Sequence, residues 1–376
     1  MSHSLNRVEI DLGALRHNYR ALQEQAGKGA EVLAMVKADA YGHGLVPVAR
    51  TLAAAGARTF GVAEIEEGIA LRQAGLEGEV IVLLGAPADR LDEVIVHRLS
   101  PVVFDLEMLA ELSRRAVLAE TRVDVHLKVD VGMGRLGILP PELPHFLDSL
   151  SRLPGVRLAG VSSHLPMADR PQAAVTREQC RLFMEIAARV RQASPEARFH
   201  LANSAAHLNL PETRLDMVRP GIALYGGQPG GPTAGGFRPV MSFRSRIQQV
   251  KEVPAGTGLS YGHTFVTSRP SRVAVLPVGY DDGLLRRLSN RAAVLIGGRR
   301  VPLRGNICMN ACMADVTDLP AVRPGDEVVL LGRQGGEAIT AGEIAGWLET
   351  IDYEVLCLVG GLNARLYVGA ERGTGE

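Results

Sequence analysis

Between Glu31 and Tyr225, short β-branched runs alternate with stretches of helical spacing eight times over. A strand followed by a covering helix, repeated, builds a parallel sheet whose both faces are buried, and eight repeats are the number that close it into a barrel. The spacing predicts strands near Val32–Lys37, Thr59–Ala63, Val80–Leu84, Pro101–Phe104, Val123–Val129, Leu158–His164, Phe199–Asn203 and Met217–Leu224. Between them it predicts helices such as Leu45–Ala55, Glu64–Ala74, Leu106–Leu118 and Thr176–Gln192. The expected class is therefore α/β, an N-terminal (β/α)8 TIM-like barrel.

The pattern breaks at Gln228–Gly236, QPGGPTAGG, a run that neither strand nor helix can continue. Strand signals dominate afterwards: Ser242–Val253, Arg272–Val278, Ala292–Ile296, Arg299–Leu303 and Glu327–Leu331, with one helix at Ala341–Glu349. A mainly β C-terminal domain over 235–376 thus follows a barrel over 1–234. Val8–Leu12, a strand ahead of the barrel repeats, is expected to pack with the second domain rather than with the first. Lys plus Arg and Asp plus Glu both number 41, so no field of one sign exists to gather nucleic acid or anionic lipid. An apolar run of membrane-spanning length is absent, and Met1–Asp11 lacks the apolar core of a signal peptide. Expected is a cytoplasmic enzyme with no membrane and no nucleic-acid partner. Four cysteines in so long a chain read as reduced thiols, and Cys308 with Cys312 supply too few ligands for zinc, so no metal is expected.

Barrel enzymes place their chemistry where strands end. Lys37 ends the first strand in VKADAYGHG, where desolvation can strip its proton and make it a nucleophile, with Tyr41 able to reach over the same mouth; a solvated cap is the plain alternative. Strand five, running into KVDVGMGRLG, puts Lys128 and Asp130 on one face and Arg135 in a glycine-interrupted loop; a structural ion pair of Lys128 is equally consistent. His164 ends strand six and could simply be a satisfied polar plug. HLANSAA and VRPGIALYGG bring Asn203, Ser204, Gly221 and Ile222 to the place where barrels bind phosphate, and Arg219 points into that mouth or pairs at its rim. An amine, a phosphate cradle and an inward cation together point to pyridoxal 5'-phosphate.

With these segments assembled, the chain resembles the alanine racemase family from about Val8 to Tyr367. The resemblance rests on VKADAYGHG, KVDVGMGRLG, HLANSAA, VRPGIALYG and GLSYGHTF, five motifs in order. It implies a head-to-tail homodimer with shared active sites, interconverting L- and D-alanine and supplying D-alanine for peptidoglycan. Lys37 would be the Schiff-base lysine and one base, and Tyr261 from the other subunit the opposite base. The resemblance further implies that Arg219 faces the pyridine nitrogen and His164 bonds Tyr261. Arg135 would hold the cofactor's phenolic oxygen and the substrate carboxylate, oriented by Lys128, often carbamylated in the family. Tyr41, Asn203, Ser204, Gly221, Ile222 and Tyr353 would hold the cofactor, with Met309 and Tyr280 around substrate and entrance. The chain departs from the pattern at Leu284, Asn306, Asn310 and Leu362-Asn363-Ala364, all in the second domain. Serine or broad-spectrum racemisation is the nearest alternative. A decarboxylase or lyase of the same fold is opposed by Arg219, because those enzymes place an acid at the ring nitrogen. A non-catalytic carrier of the cofactor would have no use for Tyr261 or the second domain.

Overall fold

The structure, a computed structural model, describes residues 5–230, 236–319 and 321–369. Its contacts divide the chain into two units. One comprises Leu15–Ala40 and Leu45–Phe237; the other comprises the described residues of Met1–Ala14, Tyr41–Gly44 and Arg238–Glu376. The expected boundary between residues 234 and 235, and most of the QPGGPTAGG segment, lie outside the described residues. A cut at one point does not describe the division, because residues 5–14 and 41–44 go with the second unit.

The first unit is the parallel barrel. Its strands are β2 (Glu31–Met35), β3 (Thr59–Val62), β4 (Glu79–Val82), β5 (Ser100–Val103), β6 (Val123–Lys128), β7 (Val156–Ser162), β8 (Arg198–His200) and β9 (Met217–Val218). They pair in the order β8-β7-β6-β5-β4-β3-β2-β9, and a parallel bridge between Asn203 and Arg219 joins the two ends. The eight runs were legible because a strand covered on both faces needs apolar residues without alternation; Val32, Leu33 and Ala34 of β2 are all fully buried. Outside the sheet, Leu106–Leu118 turns Leu109, Leu112 and Ala116 inward, with Asp105 capping it by accepting from Met108 N at 2.7 Å.

The barrel strands end one to six residues before the expected position, and at two of them the cause is local. The last strand stops at Val218 rather than Leu224, because Pro220 has no N–H to give a ladder and Gly221 opens a 3-10 turn at Ile222–Tyr225. The first stops at Met35, and the chain then makes a left-handed turn with φ of 54, 52, 55 and 55° at Ala38, Asp39, Ala40 and Tyr41. Such a conformation costs an L-residue about 1–2 kcal/mol each. It is clamped by Glu67, which accepts from Asp39 N at 3.3 Å, and by the Asp39 carboxylate, which accepts from Leu45 N at 2.7 Å.

In the second unit β1 (Arg7–Asp11) lies between β10 (Met241–Arg246), antiparallel, and the strand Arg365–Val368, parallel. The sheet continues through Glu327–Gln334 and Ala293–Ile296 to Arg299–Pro302. The expected long strand Ser242–Val253 is two, Met241–Arg246 and Gln249–Val253, in different sheets. A second helix, Asp352–Leu362, accompanies the expected one, which runs Ala341–Leu348. Among the described residues no helix is long and apolar enough to cross a membrane.

Candidate active site

In the barrel unit the sequence-predicted residues follow the C-terminal ends of the strands: Lys37 after β2, Lys128 at the end of β6, His164 after β7, Asn203 and Ser204 after β8, Arg219 after β9. Arg219 is buried, and main-chain carbonyls fix its guanidinium. Nη2 donates to Ser163 O at 2.6 Å and Leu201 O at 3.1 Å, and Nη1 donates to His200 O. Nη1 also reaches His200 Nδ1 at 3.2 Å and Nη2 reaches His164 Nδ1 at 3.4 Å. Only its Nε–H is left without a partner among the described residues. Burial, then the charge of Arg135, pushes its pKa down to about 10, so it stays a cation at neutral pH. A rim ion pair is excluded; this is an interior charge locked in place.

His164 feels burial first and then Arg219, Lys128, Arg135 and Lys37, which together hold its pKa at about 2. The ring is neutral. Since a guanidinium only donates, Nδ1 accepts from Arg219 and the ring proton sits on Nε2, available to an oxygen beyond.

Lys128 is held far below the ordinary lysine range by burial and by the cations Arg219 and Arg135. Among the described residues no carboxylate forms an ion pair with it, so the structural-pair reading fails. Asp130 is committed elsewhere. Its Oδ1 accepts from Gly132 N at 2.8 Å and Met133 N at 2.7 Å, and its Oδ2 from Gly134 N at 2.8 Å and Arg135 N at 3.2 Å. That nest requires the φ of +126° at Gly132, a backbone open only to glycine, and it sets where Arg135 leaves the loop. Burial raises the Asp130 carboxyl, but these four N–H groups outweigh it and keep it ionised below the usual range.

Ser204 opens the helix Ser204–Asn209, and its Oγ accepts from Gly221 N at 2.9 Å and Ala223 N at 3.3 Å. Asn203 spends its Oδ1 on capping that helix, accepting from Ala206 N at 2.9 Å. The result is a buried Ser204 hydroxyl that has accepted two N–H groups and keeps its own proton to donate, set at the start of a turn and suited to an anion. Sequence reasoning missed His200 and the carbonyls of Ser163 and Leu201; its signal was available, since His200 stands in HLANSAA itself.

The second unit holds the rest. Tyr41 and Tyr353 pack ring to ring with centroids 5.9 Å apart. Burial pushes the phenol of each up, so both are neutral donors. Tyr261, by contrast, is 69% exposed, and Met309 and Tyr280 are exposed as well. Asn306, one of the departures, donates from Nδ2 to Tyr261 O at 2.6 Å, and Ser260 Oγ donates to Asn306 O at 2.6 Å. Asn310 donates to Asp281 Oδ2 at 3.3 Å, Asn363 donates to Asp282 O and Val359 O, and Leu284 is buried.

Comparison with known proteins gives a consistent result. Residues 10–229 match the family model described as "Alanine racemase, N-terminal domain", and residues 240–367 match "Alanine racemase, C-terminal domain". An alanine racemase of Syntrophobacter fumaroxidans is 45% identical over 96% of each chain, and one of Halothermothrix orenii 42% over 93% of each. Among solved structures, an alanine racemase from Streptomyces lavendulae superposes with a TM-score of 0.92 at 37% identity over 99% of each chain. One from Bartonella henselae, described with covalently bound pyridoxal phosphate, superposes with 0.88 at 29% identity over 96% of this chain and 99% of that one.

Proposed function

The chain belongs to the alanine racemase family of pyridoxal-phosphate-dependent enzymes, and on that premise we propose that Lys37 and Tyr261 are the two bases with which it interconverts L- and D-alanine. The observation that carries this reading is Arg219: a buried cation held by carbonyls, with one N–H uncommitted. A cation facing the ring nitrogen keeps that nitrogen unprotonated, which favours reversible proton transfer over decarboxylation. The residues fit the cofactor. The segment Ser204, Gly221 and Ile222 would hold the phosphate, Arg219 Nε the ring nitrogen, and Lys37 Nζ the reactive carbon. When bound, the cofactor draws electrons from the substrate α-carbon and so acidifies its proton.

Inversion needs one base on each face of that carbon. Lys37 Nζ takes or returns the proton on one face. The opposite face is reached by Tyr261 Oη of the partner subunit in a head-to-tail homodimer, which accounts for a tyrosine left 69% exposed on a strained turn. His164 is neutral with its proton on Nε2, so it donates to that phenol oxygen, with the Arg219 cation behind it. Arg135, aimed by Asp130, binds the substrate carboxylate. Met309 and Tyr280 of the partner subunit would border the site and favour a small side chain. The product would feed peptidoglycan synthesis in the cytoplasm.

Burial and the cations Arg219, Arg135 and Lys37 hold Lys128 far below the ordinary lysine range, and the opposing charge of Asp130 does not restore it. We propose that its amine attacks carbon dioxide and loses a proton, giving a carbamate that orients Arg135. Native mass spectrometry in bicarbonate should then find one carbon dioxide per chain, lost on acidification and absent in Lys128→Ala; an unmodified wild-type chain contradicts it.

Purified protein with pyridoxal phosphate and a panel of L-amino acids, followed by chiral chromatography, tests the reading. D-alanine approaching an equal mixture without loss of mass is expected. Amine or keto acid would indicate decarboxylase or lyase chemistry, D-serine formed faster than D-alanine a different preferred substrate, and no change a carrier.

A further inference from the structure

At the N-terminal end of the barrel strands lies a cavity of about 760 Å³, with Glu31, Thr59, Glu79, Arg98 and Arg198 in its lining. From it an unbroken line of side-chain contacts runs through the buried interior to Arg219. Glu79 Oε1 lies 3.0 Å from His126 Nε2, His126 Nδ1 lies 2.9 Å from His200 Nε2, and His200 Nδ1 lies 3.2 Å from Arg219 Nη1. Both imidazoles are wholly buried.

The donor inventory allows this line to run one way only. A guanidinium has nothing but donors, so His200 must present a bare Nδ1 and carry its proton on Nε2. That proton is donated to His126 Nδ1, which must also be bare. His126 therefore carries its own proton on Nε2 and donates it to the Glu79 carboxylate, which only accepts. A proton on His126 Nδ1 would turn His200 round and set an N–H against Arg219. Glu79 is kept in the accepting form: burial pushes its carboxyl up, but the hydrogen bond from His126 and the neighbouring Arg198 outweigh this and hold it below the usual range. Arg198 also donates to Glu31 Oε2 at 3.3 Å, and Glu31 Oε1 accepts from the Thr59 hydroxyl at 2.5 Å, so the carboxylate end is anchored in a wider polar floor.

The backbone makes room for the same line. Gly160 on β7 pairs in register with His126 on β6, and a Cβ there would lie 2.3 Å from His126 Nδ1. Any larger residue would push the ring out of line.

We infer that Glu79 and His126 are positioning residues for the racemase reaction. The carboxylate fixes the tautomer of His126, His126 fixes that of His200, and His200 with its carbonyl neighbours keeps Arg219 turned so that its free Nε–H stays on the cofactor ring. This rests on the reading that Arg219 faces the ring.

The first test needs no mutation. In holoenzyme labelled with ¹⁵N-histidine, His126 and His200 should both be neutral with the proton on Nε2 at neutral pH; an imidazolium or an Nδ1–H form at either overturns the inference. Glu79→Leu removes the acceptor and should mix the His200 tautomers, shift the cofactor's visible band and lower kcat/KM about 10–100-fold in both directions, the usual effect of losing an orienting partner. Glu79→Gln keeps an accepting oxygen and should retain wild-type tautomers with activity within a few-fold, ~2–3 by the modest worth of one neutral hydrogen bond. Should Glu79→Leu not fold, Gly160→Ala displaces His126 from the other side and should give the same mixed tautomers. A folded Glu79→Leu or Gly160→Ala protein with wild-type tautomers overturns the inference. The nuclear readout does not depend on where Arg219 points: altered tautomers with an unmoved visible band would sink the reading of Arg219 and leave the relay standing.

Discussion

Lys37→Ala is expected to lower racemisation by about 10³-fold or more in both directions and to abolish the visible band that the bound cofactor shows with the wild-type enzyme. The size follows from two losses at once. On the proposed reading the side chain would both bond the reactive carbon and exchange the α-proton on its face, and Lys128, enclosed by Arg219 and Arg135, would be occupied in orienting Arg135. The substitution should leave the fold intact, since Glu67 and the Asp39 carboxylate clamp the left-handed turn after Lys37. Absorbance and a chiral assay with and without added methylamine check it. A variant that keeps both band and turnover without added amine would remove Lys37 from the mechanism.

Tyr261→Phe should lower kcat/KM about 10²–10⁴-fold, the range for a single positioned base, and equally in both directions because the two enantiomers have equal free energy; the asymmetry should appear in the isotope effects. If Tyr261 takes the proton from L-alanine, the α-deuterium isotope effect should rise in the L-to-D direction and change little in the reverse one. Equal isotope effects in both directions would mean that one residue serves both faces. The turn itself should survive, because Asn306 holds the main-chain oxygen of Tyr261 and not its phenol.

The eight barrel strands could be read from the sequence because double burial writes an unmistakable apolar run, as in β2 and β4. What was misread depended on events without a residue-type signature, or on one that was overlooked. The left-handed turn Ala38–Tyr41 contains no glycine to announce it, whereas Pro220-Gly221 did announce the end of β9. Helix Asp352–Leu362 was missed because two glycines and three β-branched or aromatic residues hide its period. The motifs are legible as segments, yet by spacing alone His164 reads as a lone plug and His126 and His200 carry no signal of their own. Their meaning lies in a line of donors and acceptors crossing three strands, which no spacing along one strand can express. Asp130 likewise looked like a partner for Lys128 and is instead the knot of its own loop.

The most direct test of the account is complementation. It holds that each site joins Lys37 of one subunit to Tyr261 of the other, so two inactive proteins should repair one another. Mixing Lys37→Ala and Tyr261→Phe protomers under conditions that exchange subunits should recover about a quarter of wild-type activity, because half the dimers are mixed and each of those has one intact site. Activity no greater than the sum of the two parents, with mixed dimers demonstrated to form, would contradict it.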